Sequence, residues 1–451
     1  MSPSMIESPL SKLSDEQIEA LGKEFDAIHD EVFAELGDRD RRYIVSMIEM
    51  HRRLVVTGRI LLFGSRNRAA WYAGTAMLSL AKILENMEIG HNVMHGQWDW
   101  MNDPQINSST WDWDSASTAE AWKHSHNYIH HTYTNIRGKD RDLGYEIMRI
   151  DPHQKWHPVY LLQPFYNLVL AAFFEWGVAV HDLDFDALRK GQKSKDALRR
   201  ELKGMARKAW LQISKDYLTF PALSAALTTG TVAASRAVRG RSKSRARRAY
   251  ERLRPQAAEQ PLRDVARSSF IATLKADFTA NVVRNVWAYG IIFCGHFPDQ
   301  TYTFSQEETD DETRGAFYVR QLLGAANIDG RPLFHVLSGN LGYQVEHHLY
   351  PDMPSTRYAE IAPRVKDICV RYDLPYNTGP FRKQFGGVQR TILRLAFPGG
   401  HPRPKPGPYR GPEADEAPRP EREARFARPG ENGSGPEQPT DGVRVSMPEG
   451  E

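Results

Sequence analysis

Histidines concentrate in three short stretches that lie far apart in the chain. They are His91 and His95, then His126, His130 and His131, and finally His347 and His348. On a helix, residues four apart lie on one face about one turn from each other. Distant stretches of this kind can act together only if the tertiary fold brings them to one place. The pattern therefore predicts a helical fold that encloses an imidazole-rich site.

The number of clustered imidazoles predicts more than one metal ion. Neutral imidazole is a ligand for iron, zinc, copper and nickel, and one such ion takes about four to six donor atoms. Seven clustered histidines exceed that need, so two ions are expected. His296 is an eighth candidate, because it stands where an apolar run ends. Gln344 and Asn340 are candidates for a weak ligand or for a hydrogen-bond partner of the ligands.

Other metal sites fit the sequence less well. The chain has two cysteines, Cys294 and Cys369, which are too few for a disulfide framework or a cysteine-based metal site. A soluble carboxylate di-iron bundle needs two Glu-x-x-His pairs, and that spacing occurs once, at Glu88 and His91. The His-Glu-x-x-His motif of zinc proteases is absent. These differences favour an all-histidine centre.

Apolar runs predict an all-α integral membrane protein with about four transmembrane helices. The candidate spans are 41–63, 69–90, 216–234 and 278–296, and a further apolar run, 158–181, is expected in the membrane interface. Each candidate carries polar residues, which should face inward toward the site. The alternative is that the first two runs are amphipathic core helices.

The tryptophans that follow the first histidine pair also favour a membrane. Clustered indole rings are typical of the membrane–water interface, where an apolar ring carries one polar N–H. The alternative is a tryptophan-rich protein core. The residues are Trp98, Trp100, Trp111, Trp113 and Trp122.

Composition divides the chain into three parts. Residues 1–40 form a polar lead, 41–396 the main domain, and 397–451 a tail rich in Pro, Gly, Arg and Glu that is expected to be disordered. A basic insert, 236–254, falls within the domain. The N-terminus lacks the features of a secretory signal. The formal net charge is +3, and no nucleic-acid partner is expected.

With these motifs the sequence resembles the membrane fatty acid desaturase family. The resemblance lies in His91-x-x-x-His95, His126-x-x-x-His130-His131 and Gln344-x-x-His347-His348, and it covers about residues 40–396. The residues around the first and third motifs are similar to those of actinobacterial acyl-CoA desaturases, including the mycobacterial stearoyl-CoA Δ9 type.

The resemblance implies a four-helix transmembrane stem with a cytosolic helical cap that holds a di-iron centre. Two iron ions and O₂ are implied, with a fatty acyl-CoA or acyl-lipid substrate. The eight implied iron ligands are His91, His95, His126, His130, His131, His296, His347 and His348. Gln344, where many relatives have histidine, is shared with front-end desaturases and leaves the double-bond position open.

Electrons are expected from a separate protein. Front-end desaturases often carry a fused cytochrome b5 domain with His-Pro-Gly-Gly, whereas this chain has only the reversed Pro398-Gly399-Gly400-His401. A flavoprotein reductase with a ferredoxin-like or cytochrome b5-like carrier is implied. The expected location is the bacterial cell membrane, with the active site on the cytosolic face.

Two further functions compete with the acyl desaturase. A hydroxylase on the same scaffold would share the first hydrogen abstraction and differ in its product. A membrane metal-binding or transport protein would instead carry polar residues along its spans, where Arg284 and Glu85 are the suggestive ones.

Overall fold

The computed structural model describes residues 8–241, 260–400 and 403–411, and the ordered elements in these ranges are helical. The prediction of an all-α fold is confirmed. The α-helices considered below are α1 (Asp15–Ala34), α2 (Asp38–Phe63), α3 (Arg68–Ile83), α4 (Ala119–Trp122), α5 (Gln163–Ala172), α6 (Phe174–His181), α7 (Phe185–Arg189), α8 (Lys195–Ile213), α9 (Phe220–Arg241), α10 (Leu262–His296), α11 (Arg314–Gly324), α12 (Pro332–Leu337), α13 (Gln344–Leu349), α14 (Tyr358–Arg371) and α15 (Phe381–Leu395).

Four long helices pack into a bundle, which we call the stem. Helix α2 packs on α3, and α3 packs on α10. Helix α9 packs on both α10 and α2, so the four helices surround a common interior. Close approach between α2 and α3 depends on small residues, because a Cβ at Gly74 would lie 2.8 Å from the Leu62 side chain. The four candidate spans of the sequence therefore correspond to the four stem helices.

Within the described ranges, no helix combines the length with the apolar character that crossing a membrane requires. Charged side chains inside the stem contribute to this result. Arg59 donates to Asp216 at 2.8 Å and also to Asp277, and Lys82 donates to the second oxygen of Asp216 at 2.8 Å. All four residues are buried. Lys82 therefore faces inward as predicted, whereas Arg52 and Arg53 of α2 are exposed, so the prediction is wrong for those two residues.

A helical cap covers one end of the stem. Helix α13, which carries His347 and His348, packs between α11 and α14, and α1 packs against those same two helices. Helix α15 packs on the last turns of α10 and on α5. The cap thus holds the third histidine cluster over the ends of α3 and α10, where the other candidates lie.

The tryptophans are placed differently from the expectation. Trp98, Trp113 and Trp122 are buried, and Trp98 is completely enclosed. Their rings pack against the histidine-bearing segments, and the Trp122 ring stacks on His126 at 4.5 Å between centroids. The preference for a membrane-interface cluster is wrong for these three residues, because they fill the core around the histidines with large aromatic rings.

The ends of the predicted regions lie partly outside the described residues. These parts are 1–7 of the polar lead, 242–254 of the basic insert, and 401, 402 and 412–451 of the tail. The chain divides into one compact unit from Met1 to Pro408 and a second unit from Tyr409 to Glu451. Within the first unit, the beginning of the tail is held by Arg149, whose guanidinium donates to the carbonyl oxygens of Phe397 and Gly399.

Candidate metal centre

Two of the three histidine clusters lie on π-helical turns. One π-helical segment, Leu84–His91, continues α3, and another, Lys123–His130, continues α4. Such turns have one extra residue and occur often at functional sites. The first ends at His91, and a short α-helical turn, Asn92–Met94, leads on to His95, whose ring is 4.6 Å from that of His91. The spacing predicted the shared face, but on the assumption of a regular α-helix.

A left-handed turn places the third cluster beside the first. Gly339 has φ +70°, and a Cβ there would lie 2.3 Å from the carbonyl oxygen of Met87. Only glycine combines this backbone conformation with so close an approach. The next residue, Asn340, then donates to the Glu88 carboxylate at 3.1 Å. The loop before α13 is therefore fixed directly against the π-helical turn after α3.

The eight candidate histidines converge, and seven of them form two groups. In each group the candidate ligand atoms lie within 4.8 Å of one another. The first group is His91, His95, His126 and His347, and the second is His130, His296 and His348. The prediction that residues from all three stretches meet is thus seen in the geometry. Their role as metal ligands stays a prediction.

His131 lies between the two groups. Its ring stacks on His348 of the second group at 4.5 Å and stands edge-on to His95 of the first at 4.7 Å between centroids. Both of its ring nitrogens are buried and have no hydrogen-bond partner among the described residues. It can therefore serve either group.

The two amide candidates occupy different places. The Gln344 side-chain nitrogen lies 3.0 Å from Nε2 of His296, so this amide adjoins the second group. The Asn340 amide instead donates to Glu88 and to the Ser355 hydroxyl. Asn340 therefore supports the loop before α13, whereas Gln344 lies beside the candidate ligands.

Hydrogen bonds to Nδ1 orient several of the imidazoles. His130 donates to both oxygens of Asp140 at 3.1 Å. His348 donates to the Gln321 side-chain oxygen at 3.0 Å, because the Gln321 amide nitrogen is used by the carbonyl of His131. A bonded Nδ1–H leaves the lone pair of Nε2 available for a metal.

His347 and His91 are also oriented by hydrogen bonds that they donate from Nδ1. His347 donates to the Tyr358 hydroxyl at 3.2 Å, and that hydroxyl in turn donates to the carbonyl of Tyr350. His91 donates to the side-chain oxygen of Asn92 at 3.2 Å. Outer partners of this kind normally fix the orientation of metal-binding histidines.

Buried nitrogen atoms without partners show that the residues fit a metal. Such atoms normally find a hydrogen bond, since an unpaired buried polar group costs free energy. Here the unpartnered atoms converge from separate helices, which a metal ion would explain. Within the described residues they include Nε2 of His95, His126, His130, His131 and His347.

The electrostatics of the site keep most of these imidazoles neutral. Burial lowers the pKa of His126, and it holds the pKa values of His131, His347 and His348 well below the usual range. Burial also opposes protonation of His130, but the adjacent Asp140 carboxylate outweighs it and raises that pKa. Neutral imidazole is the form that binds metal.

A cavity adjoins both groups of histidines. It is lined by His91, His126 and His296. Its walls combine aromatic and aliphatic side chains with polar ones: Asp142, His181 and Asp182 lie near His126, whereas Glu175 and Arg284 lie further along the stem. The residues of the apolar part include Met87, Trp113, Trp122, Tyr145, Phe174, Val178, Ala288, Ile292 and Leu341.

Sequence reasoning missed the acidic residues that surround the histidines. Asp142 lies 3.5 Å from Nδ1 of His126 and accepts from His181 at 3.0 Å. Asp140 holds His130, as described above. Both aspartates follow the second cluster in an irregular loop, where no periodicity marks them. Their nearness to the cluster in the chain is the only available signal, and His181 lies outside the three clusters.

Comparison with known proteins agrees with this geometry. The family model for "Fatty acid desaturase" matches residues 69–238 and 217–380, which include all eight histidines. No solved structure is significantly similar to the chain.

Several curated proteins are similar in sequence. The NADPH-dependent stearoyl-CoA 9-desaturase of Mycobacterium tuberculosis is 42% identical over 415 residues, which are 92% of this chain and 86% of the relative. The sn-1 linoleoyl-lipid 6-desaturase of Synechocystis is 23% identical over 317 residues, covering 68% of this chain and 75% of the relative. With a family match over most of its length and a full-length relative at this identity, the chain belongs to the fatty acid desaturase family.

Proposed function

We propose that this protein introduces a cis double bond into a long-chain acyl-CoA at a centre of two iron ions. The observation that carries the proposal is the convergence of eight histidines, seven of them buried, several with unpartnered nitrogen atoms, beside a cavity partly lined by aromatic and aliphatic side chains. The name of the mycobacterial relative supports stearoyl-CoA as the substrate and the 9-position as the site of reaction.

The eight histidines would hold the irons. His91, His95, His126 and His347 would bind one, and His130, His296 and His348 the other, with His131 between them. When bound, iron supplies the redox chemistry with O₂ that an unactivated methylene group demands and that acid–base side chains lack. Iron is favoured over zinc because zinc has no redox chemistry.

The protein's own residues would position the reactants. Asp140, Gln321 and Tyr358 orient the imidazoles through Nδ1, so that the ligand lone pairs are fixed before the metal binds. The apolar walls, among them Phe174 and Ile292, would hold the acyl chain and keep bulk water from the reacting carbons. Each turnover would take two electrons from a separate donor, for which the relative's name supports NADPH as the source.

We further propose that the stem lies in the cell membrane with the cap on the cytosolic side. Apolar side chains cover the outer face of the stem, for example Val56 and Ile60 on α2 and Phe278 and Val286 on α10. The charges of the same helices pair inside the bundle, as intramembrane charges usually do. Helices α5 and α6 would lie in the interface, because Phe165 of α5 and Phe173, which stands between the two helices, are exposed.

The test is to purify the full chain from iron-replete cells, measure its metals, and supply stearoyl-CoA, O₂, NADPH and a reductase system. We expect about two irons per chain and oleoyl-CoA as the product. A hydroxystearoyl product would contradict desaturation, and stoichiometric zinc without iron would favour a metal-binding role. His130→Ala should lose iron and product, whereas His124→Ala, which changes a histidine outside the two groups, should keep both.

A further inference from the structure

The cavity beside the histidines follows one face of α10. The residues Arg284, Ala288, Ile292 and His296 line it and are spaced by four, so they form a stripe along that helix. At about 1.5 Å per residue, the stripe is about 18 Å long. Of the α10 residues that line the cavity, Arg284 lies furthest from His296. The cavity therefore has a histidine end and an arginine end.

An ion pair occupies the arginine end. Nη2 of Arg284 lies 2.5 Å from Oε1 of Glu175, and the exposed fractions of the two side chains are 1% and 3%. Gln212 donates to the other Glu175 oxygen at 2.9 Å, which fixes the carboxylate. Nη1 of Arg284 donates to the carbonyl oxygen of Asp114 at 3.4 Å. Four separate parts of the chain thus hold this end in place.

Further charges lie behind the ion pair. Lys82 is 3.6 Å from the Asp114 carboxylate, which also pairs with Lys215. An apolar chain gains free energy by filling the aliphatic and aromatic part of the cavity. It would lose free energy if it displaced buried charges from their partners. The ion pair therefore limits how far an apolar ligand can extend along the cavity.

We propose that the Arg284–Glu175 ion pair closes the acyl channel and sets how many carbons fit beyond the reacting bond. This inference rests on the proposed function and names the specificity determinant of the same site. The methyl end of the chain would stop against the charged layer, so that chain length is selected by the distance from the histidines to Arg284. One methylene too many or too few in such a pocket typically changes kcat/KM about tenfold or more.

The experiment compares palmitoyl-, stearoyl- and arachidoyl-CoA as competing substrates of the full chain in liposomes. The double variant Arg284→Leu/Glu175→Ala removes both charges together, so that neither is left buried alone, and it shortens both side chains. We expect the arachidoyl-to-stearoyl ratio of kcat/KM to rise about tenfold. Arg284→Lys keeps a positive charge at this end of the cavity. Its arachidoyl-to-stearoyl ratio should therefore stay closer to that of the unchanged protein than the ratio of the double variant does.

A second variant tests the opposite direction. Ala288→Val adds bulk one turn nearer to the histidines, so the palmitoyl-to-stearoyl ratio should rise. Val286→Leu is the control, because Val286 faces outward with 48% exposure on the same helix. An unchanged preference in an active double variant would overturn the proposal. If the double variant does not fold, an unchanged preference in Ala288→Val overturns it. Failure of the unchanged protein to desaturate any acyl-CoA would instead refute the proposed function.

Discussion

At the scale of single residues, the orientation of each imidazole depends on a partner that the sequence does not mark. His130 is the clearest case, because both oxygens of Asp140 accept from its Nδ1. Asp140 is itself held by the backbone N–H groups of Asn135 and Asp142. The histidine spacing predicted the candidate ligand, but the carboxylate that orients it comes from an irregular loop.

Asp140→Asn tests this orientation. The amide keeps the shape but removes the charge that stabilises the imidazole, and loss of an outer partner typically lowers metal affinity 10- to 100-fold. We expect a reduced iron content and a matching loss of product, measured by metal analysis and by turnover. Asp310→Asn, which changes an acid with 70% side-chain exposure, is the control. Full iron content in Asp140→Asn would contradict the role assigned to Asp140.

Asp182 predicts a pH dependence of stability. Burial raises its pKa to about 6, although the hydroxyl groups of Ser117 and Ser125 donate to it. In an unfolded chain the pKa of Asp is about 3.9. Between these values the folded state binds more protons than the unfolded state, so this residue makes stability fall as the pH rises through that window.

Asp182→Asn should remove that contribution. Relative to the unchanged protein, the variant should gain up to about 3 kcal/mol in free energy of unfolding between about pH 4 and about pH 7. Thermal unfolding of both proteins across this range measures the difference. A difference that stays constant with pH would show that Asp182 does not titrate in this window.

At the scale of elements, the stem is held together by buried charges as well as by apolar packing. Asp216 lies in a π-helical turn, Ser214–Thr219, that leads into α9, and it accepts from Arg59 of α2, Lys82 of α3 and Asn281 of α10. One carboxylate therefore joins all the other stem helices. The apolar runs predicted these helices, but the pairing of their charges is set by packing between segments distant in the chain.

Asp216→Asn should destabilise the stem strongly. It leaves Arg59 and Lys82 buried with less compensation, and breaking a buried ion pair typically costs about 3–5 kcal/mol. The measurement is thermal unfolding in detergent. Asp196→Asn on α8 is the matched control, because that carboxylate is 77% exposed and its loss should change stability little. Equal stability of the two variants would contradict a structural role for Asp216.

At the scale of the whole molecule, the proposed metal centre joins the stem to the cap. Its candidate ligands come from the turns after α3 and α4, from the end of α10 and from α13. A ligand that binds only the folded state stabilises it, by about 2.7 kcal/mol when present at 100 times its dissociation constant. Iron should therefore act as a link between the two parts.

Removing iron tests this link. Treatment with a chelator should lower the midpoint of thermal unfolding, and added Fe²⁺ should restore it. The His347→Ala/His348→Ala variant should unfold at the same temperature with and without chelator. If the chelator lowers the midpoint of this variant as much as that of the unchanged protein, the iron that stabilises the fold lies elsewhere.

The sequence alone predicted the helical class, the four stem helices and the eight candidate histidines, because these depend on local pattern: apolar runs long enough for helices, imidazoles at or next to a four-residue spacing, and His296 at the end of an apolar run. The tertiary structure decided the rest. It divided the histidines into two groups, placed His131 between them, introduced the π-helical turns and brought Asp140 and the Arg284–Glu175 pair to the site. These features arise from contacts between segments that are far apart in the chain, and no local pattern encodes such contacts.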